Sequence, residues 1–298
     1  MIDLKYHITS IVAVFLALGL GILIGSTIVG NDLLVEQQQK MIDQLDKEFS
    51  ALREQERLLT EADKFKSIII SNYENYSQAI LPVLVQDRLK GMQVAVVVSG
   101  DSDIPAGMVN ALSLAGAEIV SKTVVLSNIN LADANIRDKV SLFFQLGADT
   151  DRDSMRRVIA QEVAGILSNN PKPETVSFLQ ENGLVKFSGN NMVPIDAVIL
   201  VGGSNSPANN HAQSFDLGLI EKMTNEGIKV FGVESSDVKY SFIIDYQTTN
   251  ISTVDNIDLS PGQISLVFAL DGEAGHYGIK PTAHKFVPSL PVDTIRRS

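Results

Sequence analysis

The first thirty residues contain the longest apolar run of the chain. No charged side chain occurs from Ile8 to Gly30, a stretch of about 23 residues, and a helix of that length covers the roughly 30 Å hydrocarbon core of a bilayer. The apolar core of a cleaved signal peptide is shorter, typically about 7–15 residues, and a small-residue cleavage site follows it. The following "GSTIVGND" is a poor cleavage site. The pattern therefore predicts an uncleaved, single-pass signal anchor over residues 1–30.

The charges on either side of the apolar run predict its orientation. Lys5 and the α-amino group precede the run, whereas Asp32 and Glu36 follow it. Basic residues next to a spanning helix stay preferentially on the cytoplasmic side. We therefore expect a cell-membrane protein with a cytoplasmic N-terminus and an extracytoplasmic head.

Small residues recur every fourth position within the anchor. This spacing lets two helix backbones approach closely, so that van der Waals packing can drive association in lipid. It therefore predicts self-association of the anchor, although Gly and Ala are also simply common in spanning helices. The positions are Ala13, Ala17, Gly21 and Gly25.

A seven-residue repeat follows the anchor and predicts a coiled-coil stalk over residues 31–66. Six of its eight seam positions are apolar, and β-branched residues at the first a positions with Leu at d favour a parallel dimer. The alternative is a single amphipathic helix that packs back onto the head. We expect a helical connector over 67–91, interrupted near Pro82. The a positions are Val35, Ile42, Phe49 and Glu56, and the d positions are Gln38, Leu45, Leu52 and Leu59.

The head, residues 92–298, alternates short apolar runs with amphipathic stretches. This alternation predicts an α/β fold, a mostly parallel sheet with helices on both faces. The segment 169–195 is predicted to be either a linker or an insertion. The sequence is therefore consistent with a head of one domain or of two. Strands are predicted at 92–98, 117–126, 140–147, 196–203 and 228–234, and helices at 105–115, 151–168 and 214–226.

Composition narrows the classes of function. A formal net charge of -11 argues against a nucleic-acid partner, because such a protein needs a basic face. The absence of cysteine excludes disulfides, thiolate metal sites and a cysteine nucleophile. None of the nucleotide-binding, α/β-hydrolase or zinc-protease signatures occurs in the chain. We therefore expect a non-enzymatic protein without a cofactor.

Two strand-to-helix turns carry the best candidates for a ligand site. They are "SGDSD" (99–103) and "GGSNSPANNHAQS" (202–214), and ligands of open α/β sheets bind beyond the carboxyl ends of the strands. The alternative is that these side chains only cap the helices that follow. The candidates are Asp101, Asp103, Ser204 and Asn205.

Two histidines are the candidate ligands for a transition metal. His276 and His284 flank a glycine-bearing turn in "GHYGIKPTAH", and they meet if that turn folds back on itself. Imidazole suits copper and zinc. A copper ion is therefore a candidate ligand of this turn.

Two blocks of sequence resemble the mycobacterial copper transport protein B family. They are "MIDLKYHITSIVAVFLALGLGILIGSTI" at the start and "STVDNIDLSPGQISLVFALDGEAGHYGIKP" at 252–281. The resemblance implies one N-terminal membrane helix, a coiled-coil-like segment, an extracytoplasmic head and a role in copper homeostasis or efflux. The architecture by itself suggests an alternative, a homodimeric scaffold or regulator of a cell-envelope partner such as a wall-remodelling enzyme.

Overall fold

The computed structural model describes residues 4–101, 103–147, 149–168 and 170–289. The chain divides into two compact units, Met1–Ser71 and Asn72–Ser298. The first unit is entirely helical where it is described. The second contains the sheet.

Helix α1, Leu4–Val85, begins with the apolar segment. Within it, Lys5–Ile28 has a mean hydropathy of 2.5 and is long and apolar enough to cross a membrane. The hydroxyls of Thr9 and Thr27 donate to the carbonyls one turn earlier, at 2.8 and 2.9 Å. These bonds suit lipid, where water is absent as a partner for polar groups. One helix of the described chain thus has the properties of a membrane anchor.

The apolar seam residues of the seven-residue repeat are exposed on α1. Their exposed fractions lie between 45% and 62%. Arg57 pairs along the helix with Glu54 at 2.7 Å and with Glu61 at 2.6 Å, and such pairs support a solvent-exposed helix. The seam residues concerned are Val35, Ile42, Leu45, Phe49, Leu52 and Leu59.

The predicted interruption at Pro82 is wrong. Helix α1 continues past Pro82 for one further turn, and Pro82 O still accepts the N–H of Gln86 at 3.0 Å. Leu81 and Val85 are buried in the core of the second unit. Their packing offsets the cost of an internal proline, about 3 kcal/mol.

Within the described residues, seven strands form one sheet in the order β3-β2-β1-β4-β5-β6-β7. Only β3 runs antiparallel, against β2; the other neighbours are parallel. The strands are β1 Gln93–Val98, β2 Glu118–Val125, β3 Val185–Gly189, β4 Ala197–Val201, β5 Lys229–Val233, β6 Ser252–Val254 and β7 His276–Tyr277. The remaining α-helices are α2 Ala106–Leu114, α3 Ala134–Phe143, α4 Arg152–Leu167, α5 Pro173–Glu181, α6 Leu217–Asn225, α7 Ile243–Gln247 and α8 Ser260–Leu270.

Helices cover both faces of the sheet, as predicted. In β1, Ala95 and Val97 pack into one core together with α4 and α6. Val94 and Val96 pack into the other, together with α2, α8 and the end of α1. A strand buried on both faces needs a continuous apolar run, and β1 has one. The α/β class, with a mostly parallel sheet, is therefore confirmed.

The strand predicted at 140–147 is wrong, because helix α3 extends to Phe143. Period-two alternation would bury Val140 and Leu142 on the same face. Instead Val140 is buried and Leu142 is 82% exposed. Phe143 stacks on Phe178 of α5 at 4.0 Å between ring centroids, so helical spacing determines which side chains meet.

The segment 169–195 belongs to the same sheet. It contains α5 and β3, and β3 pairs with β2 through Thr123 and Phe187. The seven described strands thus form a single layer, with the antiparallel strand at its edge.

Candidate functional site

The carboxyl ends of six parallel strands, β1, β2, β4, β5, β6 and β7, lie along one edge of the sheet, which we call the carboxyl edge. Polar or glycine residues follow every one of these strands except β2. This is the edge at which open α/β sheets bind ligands. These polar or glycine residues are Ser99, Gly202, Glu234, Asp255 and Gly278.

The direction of winding changes between β1 and β4, and the two predicted turns meet at this point. A Cβ atom on Gly100 would overlap the carbonyl oxygen of Gly203. The N–H of Asp101 donates to that same oxygen at 3.2 Å. The turns are therefore in direct backbone contact.

The Asp101 carboxylate joins these turns. Its Oδ2 accepts from Ser204 Oγ at 2.5 Å and from Asn205 N at 2.9 Å, and its Oδ1 accepts from Asn209 Nδ2 at 2.7 Å. Burial by itself raises the pKa of Asp101, but these hydrogen bonds outweigh burial and leave the pKa below its usual value. Both carboxylate oxygens are engaged, so the arrangement resembles a clamp on the 202–214 turn.

Three of the four predicted turn residues thus come together, and the fourth does not. Asp103 is exposed and has no side-chain hydrogen bond to any described residue. The clamp brings together Asp101, Ser204 and Asn205.

A buried acid lies beside the clamp. Asp216 is fully buried, and its Oδ2 accepts from Tyr246 Oη at 2.6 Å and from Ser99 Oγ at 2.8 Å. Its Oδ1 has no hydrogen-bond partner among the described residues. Burial raises the pKa of Asp216 to about 7, against the lowering effect of the two hydroxyls. Asp216 thus favours its neutral form far more than an ordinary carboxyl does.

In His211, burial also favours the neutral form, but here it lowers the pKa instead of raising it. His211 is 5% exposed, and burial together with the positive charge of Arg156 lowers the pKa of His211 to about 4. Its ring is therefore neutral near pH 7.

Glu234, at the end of β5, is fully buried and paired. Lys280 Nζ lies 2.7 Å from its Oε1, Ser241 Oγ donates to Oε1 at 2.6 Å, and Phe242 N donates to Oε2 at 2.9 Å. A buried ion pair is tolerated only when hydrogen bonds satisfy both partners. This pair fastens the C-terminal turn to the centre of the sheet.

Asp255, at the end of β6, fastens the same turn through its backbone. Its oxygens accept from Ile279 N at 2.7 Å and from Lys280 N at 3.0 Å. Gly278 has φ +142°, and a Cβ there would overlap the Asp255 carboxylate. Only glycine therefore allows this approach.

This turn brings His276 and His284 together. Their ring centroids lie 4.9 Å apart with an angle of 86° between the planes, and His284 N donates to His276 O at 2.9 Å. The Nδ1 atom of His276 lies 3.0 Å from Thr253 Oγ1. Burial, followed by the neighbouring His284, lowers the pKa of His276. His284 itself is exposed.

The pair has no third ionisable ligand beside it. Across the described ranges, no group of three or more His, Cys, Asp or Glu side chains is placed to hold a metal ion. Any ion bound by His276 and His284 would therefore keep part of its coordination for water or for another molecule.

The sequence reasoning missed the acids and the hydroxyl that support this region. Glu234 directly follows the apolar stretch in "VFGVE", and Asp255 follows the two β-branched residues in "STVD", so the end of a predicted strand could have indicated both. Thr253 and Asp216 carry no such signal, because their partners come from distant strands.

Comparison with known proteins gives two findings. A family model described as "Copper transport outer membrane protein, MctB" matches residues 1–288. The chain is also similar to proteins named "Copper transporter MctB" from Mycobacterium bovis and from two strains of Mycobacterium tuberculosis. Each is 27% identical over 324 aligned residues, which cover 93% of this chain and 96% of the relative.

Proposed function

Because this chain belongs to the family described as copper transport outer membrane protein, MctB, we propose that it contributes to copper homeostasis or efflux from a membrane-anchored position. The observation that carries the proposal is the extent of the match, residues 1–288, which takes in the apolar helix and the whole sheet. The relatives that share this extent are named copper transporters.

We further propose that copper is handled in the head, outside the membrane, and without catalysis. The apolar run from Ile8 to Gly30 contains no His, Met, Asp or Glu, which are the side chains that bind passing metal ions. The head, in contrast, carries His276 and His284 side by side.

Cellular copper content tests this proposal. A strain that lacks the protein should accumulate more copper than the parent strain under copper stress, and the full chain supplied in trans should restore the parental level. Zinc and iron contents, measured in the same samples, should stay unchanged. Equal copper content in the two strains would contradict the proposal.

We propose that the protein works as a homodimer joined through the anchor and the stalk. The apolar seam residues of the seven-residue repeat are at least 45% exposed in one chain. Exposed apolar residues in heptad spacing on a helix are the usual contact surface for a second helix. A second copy offers the matching seam.

A second candidate function is that of a dimeric, non-enzymatic scaffold or regulator of a cell-envelope partner, such as a wall-remodelling enzyme. The internal use of these carboxylates favours it, because Asp101 and Glu234 are already engaged by other loops of the same chain. Crosslinking in intact cells should then capture a specific envelope protein. Recovery of only the protein itself would count against this role.

A further inference from the structure

The spacing of His276 and His284 suits a shared metal ion. Their ring centroids are 4.9 Å apart. Two imidazoles bound to one tetrahedral ion, with nitrogen–metal bonds of about 2.0–2.1 Å, have centroids about 5 Å apart. The separation of the two rings is therefore compatible with one shared tetrahedral ion.

Thr253 determines which nitrogen of His276 is available. Its hydroxyl oxygen lies 3.0 Å from Nδ1, and Thr253 itself is 1% exposed on β6. Metal-binding histidines commonly donate one ring N–H to an oxygen, which orients the ring and leaves the other nitrogen for the metal. Here that other nitrogen is Nε2.

Hydrogen bonds within the chain hold the turn that carries both rings. Besides the Asp255 hydrogen bonds, Gly278 N donates to Lys285 O at 3.0 Å, and His284 N to His276 O at 2.9 Å. The positive charge of Lys280 is paired with Glu234 at 2.7 Å. A cation approaching the two rings therefore meets a turn that the protein itself holds in place, with the charge of Lys280 already compensated and that of Lys285 exposed to solvent.

We infer that His276 and His284 bind one copper ion, with Thr253 as a positioning residue. Imidazole suits zinc, nickel and iron as well, but divalent copper binds most tightly in this series. The choice of copper rests on the proposed function; the location of the site rests on the geometry of the two rings.

The site suits exchange of copper more than storage. Among the described residues only two protein ligands are present, and His284 is exposed. The open coordination positions allow a donor molecule or an acceptor protein to reach the ion directly. A site closed by four protein ligands would hold its ion more permanently.

Metal titration of the full chain in detergent tests the inference. Cu(I) is titrated in competition with a chromophoric chelator, and Cu(II) is followed by electron paramagnetic resonance. We expect one copper per chain and nitrogen hyperfine splitting from two imidazoles in the Cu(II) spectrum. His284→Ala and His276→Ala should each weaken copper binding at least tenfold, because each variant loses one of the two protein ligands. His7→Ala, a change of the same type in α1, should leave binding unchanged.

The role of Thr253 needs a separate pair of variants. Thr253→Val preserves the shape of the side chain but removes the hydroxyl, and it should weaken copper binding about 10- to 100-fold, as losses of such supporting hydrogen bonds do. Thr253→Ser should restore most of the affinity. Equal weakening by both variants would contradict the positioning role.

The outcomes separate the site from the proposed function. The site is overturned if the wild-type chain binds no copper, if it prefers zinc, or if both histidine variants bind copper normally. Chains carrying His276→Ala and His284→Ala together are then expressed in the deletion strain. Full restoration of copper content by this variant would overturn the site while supporting copper homeostasis, whereas failure to restore it supports both.

Discussion

Asp101 and Asp216 lie at the same edge of the sheet, yet their surroundings move their pKa values in opposite directions. Asp101 receives three hydrogen bonds that favour its charge. Asp216 is fully buried, and two hydroxyls do not compensate for the lost water. Hydrogen-bond donors and burial, rather than residue type, thus decide the charge at each position.

Replacement of Asp216 should change how stability depends on pH. The native carboxyl has a pKa of about 7, above the unfolded value near 4. Its contribution is therefore fully present below about pH 4 and is lost as the pH rises to about 7, by up to about 4 kcal/mol. Asp216→Asn should accordingly gain unfolding free energy relative to the wild type between pH 4 and pH 7, measured by denaturant unfolding.

His211 supplies the internal check for this measurement. Its native pKa of about 4 lies below the unfolded value, so its contribution is present above about pH 6.5 and is lost as the pH falls to about 4. The slopes of His211 and Asp216 oppose each other in the wild type. Asp216→Asn should expose the His211 slope, with stability rising from pH 4 to pH 6.5. A pH profile identical to the wild type would contradict the assignment of Asp216, and a variant whose stability does not rise from pH 4 to pH 6.5 would contradict that of His211.

The Asp101 clamp makes a second prediction at this scale. Asp101→Asn removes the charge that accepts hydrogen bonds from Ser204 and Asn205, and it should lower the free energy of unfolding by about 1 kcal/mol. Asp103→Asn makes the same change two residues away on an exposed side chain and should cost less than about 0.5 kcal/mol. Thermal unfolding of the two variants compares them directly, and equal losses would argue against a clamp.

At the scale of elements, helix α1 carries neighbouring leucines in different heptad positions. Leu59 occupies a d position and is 59% exposed, whereas Leu58, on an adjoining face, is 53% exposed. Their surroundings within one chain are thus similar. In the proposed dimer, Leu59 would contact the second copy, whereas Leu58 would not.

The exchange of either leucine for glutamine tests the stalk seam. Glutamine retains good helix propensity, so α1 should persist in both variants. Leu59→Gln should weaken dimerisation of the full chain in detergent about tenfold, because a buried leucine contributes about 1.5–3 kcal/mol. Leu58→Gln should leave the dimer unchanged. Analytical ultracentrifugation measures both, and equal effects would remove the heptad seam from the interface.

At the scale of the whole molecule, glycines on two opposite sides of the anchor helix can be compared in the same way. A Cβ added at Gly21 or Gly25 meets no atom within 4 Å in the chain, and the same is true of Gly19. Gly19 lies on the opposite side of the helix from the four-residue repeat. Larger side chains at all three positions therefore fit a single chain.

The double substitution of Gly21→Ile with Gly25→Ile should weaken dimerisation in lipid bilayers, since bulky residues hold the two backbones apart. Gly19→Ile is the matched control and should have no effect. Förster transfer between chains labelled at the C-terminus reports on both. Loss of transfer with Gly19→Ile alone would show that this repeat is not the contact surface.

Orientation can be measured cleanly because the chain contains no cysteine. Leu142 lies in the head and is 82% exposed, whereas Asp3 precedes the candidate span Lys5–Ile28. In intact cells, a membrane-impermeant maleimide should label Leu142→Cys and not Asp3→Cys, and both should be labelled once the membrane is permeabilised. The reverse pattern would place the head in the cytoplasm.

The helices and strands that depend on local periodicity could be predicted from the sequence. The apolar run predicted the helix that includes Lys5–Ile28, and "MQVAVVV" predicted β1. The same reasoning failed at 140–147, where a short apolar run fits a strand as well as a helix, and at Pro82, where packing of Leu81 and Val85 outweighs a local rule. Local patterns fail where tertiary packing has more free energy to contribute.

The amino-acid pattern alone thus specifies an apolar helix, an exposed heptad stripe and alternating strands and helices, because each depends on neighbours within a few residues. The contact between His276 and His284 could be predicted from the sequence for the same reason, since only eight positions separate them. The Asp101 clamp, the Ser99–Asp216 contact and the support from Thr253 are different. Their partners are 103, 117 and 23 positions apart. Strand order determines these contacts, and the packing of both sheet faces decides that order.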